Sequence, residues 1–198
     1  MTVVVVPSVH RPIALPPCRQ ITLSFQAEQT RLRDTAERLA QLCHHRWLGR
    51  SDFDMFPPLH RWGSVPSLPL PQGLPTPHSL ISAAARGAHL AASTPVEFLA
   101  AAIMLSTGCP AAAATDQLAR TPGPSRTAQP LSLSILAMDE DDLALAVDLA
   151  ATAIAVSGGR ISQRREDWIP LDDELPEHAG ALGSVAGPVP AAPPSGAS

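Results

Sequence analysis

Cys43, His44 and His45 stand in a row, and thiolate and imidazole are the ligands that zinc prefers. Neighbouring side chains on a helix diverge by about 100°, so three in succession do not converge on one ion. No CxxC or HExxH partner accompanies them. They read as the end of an amphipathic helix whose histidines sit well beside the negative pole of the helix dipole. Cys109 precedes Pro110, the pairing expected at a helix N-cap and first helical position. A helix N-terminus lowers a thiol pKa. A cysteine nucleophile also needs a base, for which His78 or His89 is available. A small buried thiol at a turn is the simpler expectation. The run Asp139-Glu140-Asp141-Asp142 lacks the alternating ligands and central Gly of a calcium loop. It matches carboxylates on the first turn of a helix instead. GxSxG, P-loop and GxGxxG patterns are absent. The chain is therefore expected to be non-enzymatic, with no catalytic, cofactor-binding or metal-binding residues.

Two segments offer contact chemistry. The first is Arg160 to Leu175, where Arg164-Arg165 precedes Glu166-Asp167-Trp168-Ile169 and Leu171. Large apolar residues interleaved with acids resemble a segment that orders on a protein partner. Trp168 is its expected anchor, because aromatic side chains dominate interface hot spots, with Ile169, Leu171 and Leu175 as further partner-binding residues. The competing expectation is that Trp168, Ile169 and Leu171 pack onto the chain's own helices. The second segment runs from Asp116 to Ala128. Its Leu118-Ala119-Arg120, then Gly123, then Ser125-Arg126, resembles the centre of a bacterial helix-turn-helix motif. That resemblance implies a DNA-binding surface of Arg120, Ser125, Arg126 and Gln129. Pro130 falls inside the implied recognition helix, where an interior proline costs about 3 kcal/mol.

The elements that must carry these residues follow from periodicity. Leu32, Ala36, Leu39, Cys43 and Trp47 recur at steps of three and four, which predicts a helix over Ala27–Leu48 closed by Gly49. Ile21–Phe25 alternates weakly, as one short strand would. Prolines at 57, 58, 66, 69, 71, 75 and 77 exclude helix over most of 51–77. Its Phe53, Phe56 and Trp62 predict an extended segment draped over the body. Helices are expected over His78–Ala92, from the Thr94-Pro95-Val96-Glu97 start to Thr107, and from Pro110 to Arg120. The middle one, almost without a polar face, is the expected core element. Acidic residues 139–142 open the last helix and Gly158-Gly159 end it.

The predicted fold class is thus mostly α: an irregular small bundle of four to five helices with a long Pro-rich extended segment and a disordered C-terminal tail. The expected organisation is an extended Pro-rich segment 1–26, a helical domain 27–175 with the insertion 51–77, and a disordered tail 176–198. The chain has 198 residues, 22 of them Pro, and a formal net charge of -4. Lys, Asn and Tyr are absent, a bias of GC-rich coding that gives its all-Arg basic set no functional weight. The negative charge opposes broad binding to nucleic acid or anionic membrane. Three Cys at irregular spacing form no disulfide framework. Val3–Val6 lacks the basic flank of a signal peptide, so a cytoplasmic location is expected. The function expected on these grounds is a small adaptor or regulatory subunit acting by protein–protein contacts. The alternative is a helix-turn-helix-like transcriptional regulator using 110–129.

Overall fold

A computed structural model of the protein describes residues 17–63, 65, 75–114 and 130–169. It corrects the mostly-α expectation, because a four-stranded antiparallel sheet forms one layer of the core. The elements are β1 (Cys18–Gln26), α1 (Gln29–Trp47), a 3-10 turn (Phe53–Met55), α2 (Pro57–Gly63), α3 (Pro77–Ala85) and α4 (Pro95–Thr107). They continue with β2 (Ala111–Ala113), β3 (Leu131–Ala137), α5 (Glu140–Val156) and β4 (Arg160–Ile169). The sheet order is β2-β3-β1-β4. Stripped of α2, α3 and α4, the succession is the β-α-β-β-α-β of ferredoxin-like split βαβ units.

Pairing explains where the helical expectation fails. Ala111–Ala113, inside the helix predicted over Pro110–Arg120, is a strand in register with Ile135, Ser134 and Leu133. Alanine favours helix by under about 1 kcal/mol per residue, less than three residues gain by completing a buried sheet edge. The segment Leu131–Ala137 alternates Leu and Ser, with Leu133 and Ile135 facing the helices. It pairs with β1 from Arg19↔Ala137 to Phe25↔Leu131. The helix predicted over His78–Ala92 stops at Ala85, where Gly87 takes φ +76°. Within the Pro-rich stretch, Pro57 and Pro58 open α2 rather than forbid it, because a first-turn proline forfeits no helical hydrogen bond.

The other boundaries obey local chemistry. Thr94 Oγ1 accepts from the Glu97 amide at 3.2 Å, and the Glu97 carboxylate accepts from the Thr94 amide at 3.0 Å, a complete capping box for α4. Asp139 Oδ1 accepts from the Asp141 and Asp142 amides at 2.9 and 3.3 Å, capping α5. Helix α4 is buried on every side between β2, α1 and α5, with Leu99, Ala102, Ile103 and Leu105 sealed from solvent. Ile21, Leu23 and Phe25 of β1 meet this helix layer. On the opposite face of the sheet Trp62 of α2 packs against Cys18 and Leu136, with Ile169 beside them. No helix among the described residues is long and apolar enough to cross a membrane.

Candidate interaction surface

Strand β4 forms one edge of the sheet. Its inner side pairs with β1 from Cys18↔Ile169 to Gln26↔Arg160. Among the described residues no strand pairs with its outer side. The ladder shifts between Ser24 and Phe25, which face Gln163 and Ile161, so Ser162 is the extra residue of a bulge. The Ser162 hydroxyl donates to the Ser24 carbonyl at 3.0 Å. From Gln163 to Ile169 the strand is regular. Arg164, Glu166 and Trp168 lie on the helix side of the sheet, because they face Leu23, Ile21 and Arg19. Gln163, Arg165 and Asp167 lie on the other side, facing Ser24, Thr22 and Gln20.

Arg19 organises one end of this edge. Its guanidinium donates to Glu166 Oε1 through Nε at 2.8 Å and through a second nitrogen. It also pairs with Glu140 at 3.3 Å and lies 5.3 Å from the centroid of the Trp168 ring. Hydrogen bonding to Glu166, with Glu140 adding to it, raises the Arg19 pKa further. The indole of Trp168 is held by this cation yet remains 62% exposed. Arg165 and Asp167 pair at 2.8 Å across two positions of the strand. Arg164 is exposed, with no ion pair among the described residues.

The predicted partner-binding residues therefore separate. Trp168 faces solvent, whereas Ile169 is half-buried against the Cys18–Trp62–Leu136 cluster. Leu171 and Leu175 lie outside the described residues, as do Arg120, Ser125, Arg126 and Gln129 of the DNA-binding alternative. Two ion-pair centres were not visible in the sequence: Arg19 with Glu140 and Glu166, and Arg61 with Asp139 at 3.6 Å and with Asp142. Each joins segments more than seventy residues apart, so no local spacing announces it.

The other chemical candidates resolve geometrically. Cys109 follows the left-handed Gly108 and enters β2, so it does not cap a helix. Its thiol donates to the Asp142 carbonyl at 3.6 Å, and burial pushes its pKa up to about 12. Neither His78 nor His89 hydrogen-bonds to it among the described residues; His78 instead meets Asp54 at 3.2 Å. His44 turns to the Ala88 carbonyl at 2.7 Å. No group of three His, Cys, Asp or Glu among the described residues is placed to hold a metal ion. A pocket of about 670 Å³ lies between α3, α4 and β2, walled by Leu80, Ala100, Ala101, Met104 and Ala112. The Glu97 carboxylate at its rim is taken up by Ser93 and Thr94.

No family model matches the chain, and no curated protein or solved structure is significantly similar to it.

Proposed function

We propose that this protein is a non-enzymatic adaptor or regulatory subunit that works by protein–protein contact, with the outer edge of β4 as its docking surface. The observation that carries the proposal is Trp168, an indole fixed by Arg19 on an edge strand and presented to solvent. A preordered aromatic loses little entropy on binding, and an edge strand offers main-chain donors and acceptors to an incoming strand. The raised thiol pKa of Cys109 supports the non-enzymatic part, since the thiolate is the nucleophile. The helix-turn-helix alternative loses support because Ala111–Ala113, at the start of its first helix, is paired with β3.

Photo-crosslinking tests the proposal. A crosslinking residue replaces Gln163 in the full chain, expressed in its source cells, with Trp168 kept. Discrete protein adducts are expected from this position. Adducts that arise only from the exposed face of α1 would move the docking surface away from β4.

A further inference from the structure

We infer that the partner of β4 is β4 of a second copy of this chain, antiparallel, so that two sheets become one. The inference rests on the contact reading above and names its occupant.

Symmetry and charge select this pairing. Residues directly opposite each other in an antiparallel pair point to the same face. A two-fold axis through the sheet must therefore pass beside a residue, not between two. The regular part of β4 is Gln163–Ile169, bounded by the bulge at Ser162 and by the strand end, and its central residue is Glu166. With the axis at Glu166, Arg165 faces Asp167 of the second copy, and Asp167 faces its Arg165. Arg164 in the same way faces Trp168 of the second copy, twice over. The Arg165–Asp167 pair within each strand then becomes a four-membered network. Arg164, without an ion pair among the described residues, gains an indole that Arg19 already holds by one contact. The axis brings the two Glu166 carboxylates together, and each arrives neutralised by its own Arg19. A mixed-charge edge repels a neutral apolar strand. Run in reverse about Glu166, Arg165 and Asp167 supply each other's opposite charge.

The test is the molar mass of the full chain by light scattering, from about 1 μM to about 1 mM. The expected mass rises with concentration from 20.7 kDa towards twice that value. Asp167→Arg, which sets Arg opposite Arg, is expected to weaken association about tenfold. Arg165→Asp should do the same. The double variant Arg165→Asp/Asp167→Arg, which restores both pairs with signs exchanged, is expected to recover wild-type association. Circular dichroism melts confirm that each variant is folded. A chain that stays at 20.7 kDa throughout, or a dimer indifferent to the single charge reversals, overturns the inference. A monomer that still forms protein adducts from position 163 sinks self-pairing alone. A charge-sensitive dimer without other adducts supports self-pairing and removes the adaptor role.

Discussion

The indole nitrogen of Trp47 donates to the carbonyl of Leu105 at 2.7 Å, deep between α1 and α4. Leu105 lies in the last turn of α4, where carbonyls have no partner within the helix. One side chain thus packs into a buried cluster with Leu59, Ile81, Ala84 and Leu105, and closes a helix end.

Trp47→Phe keeps most of the packing and leaves that carbonyl buried and unpaired. The expected loss is about 1–3 kcal/mol in urea unfolding. Trp47→Ala adds a cavity and is expected to cost about 3–5 kcal/mol. A Trp47→Phe variant as stable as wild type would show that the hydrogen bond carries no weight of its own.

Gly108 takes φ +72°, and a Cβ there would lie 2.7 Å from Pro58 Cβ and 2.9 Å from Phe56 Cε1. Gly49 has the same φ of +72° with nothing within 4 Å of such a Cβ. Gly49→Ala is therefore expected to cost only the backbone strain, about 1 kcal/mol. Gly108→Ala should cost clearly more, because α2 must move as well. Melting temperatures of the two variants, measured side by side, check the order.

The Glu97 carboxyl is held below its usual pKa, first by the Ser93 amide and then by the Ser93 hydroxyl and the Thr94 amide. Its folded pKa is depressed, so its contribution is fully present above the unfolded value of 4.5 and is lost as pH falls through the folded value. Acid unfolding curves of wild type and Glu97→Gln should diverge above that window and converge below it. Thr94→Ala removes the reciprocal bond and is expected to cost about 1 kcal/mol at neutral pH.

Burial raises the thiol pKa of Cys18 to about 11 and of Cys109 to about 12. Cys43, half-buried at the end of α1, is also raised, by burial. Iodoacetamide at pH 8 is expected to modify Cys43 first and to reach Cys18 and Cys109 only on unfolding. Peptide mapping against time reads this directly. Because both buried thiols hold their protons in the folded state above the unfolded value of 9.0, stability should fall as pH rises beyond 9.0.

The helices were legible where capping chemistry and periodicity agree. Thr94-Pro95-Val96-Glu97 marks the start of α4 and Gly108 its end, while Asp139 and the acids after it open α5. The sheet was legible only in β1. The alternation of β3 is followed by the apolar pair Leu136-Ala137, both buried, which hides its period of two. Five of the ten residues of β4 are charged, so an exposed edge strand gave no apolar signal. Three alanines look helical until β3 is beside them. Trp168 stood out by type alone. What holds it did not, because Arg19 and Glu166 are 147 residues apart.

The inner strand β1, at the beginning of the described chain, pairs only with strands that begin at Leu131 and Arg160. During synthesis at about 5–20 residues per second, β1 waits roughly 5–20 s for its first neighbour. In the last part of that interval the apolar helix α4 is already made, but the sheet it packs on is not. A chain that ends before Leu131 therefore carries β1 and the apolar α4 with neither of the strands that β1 pairs with.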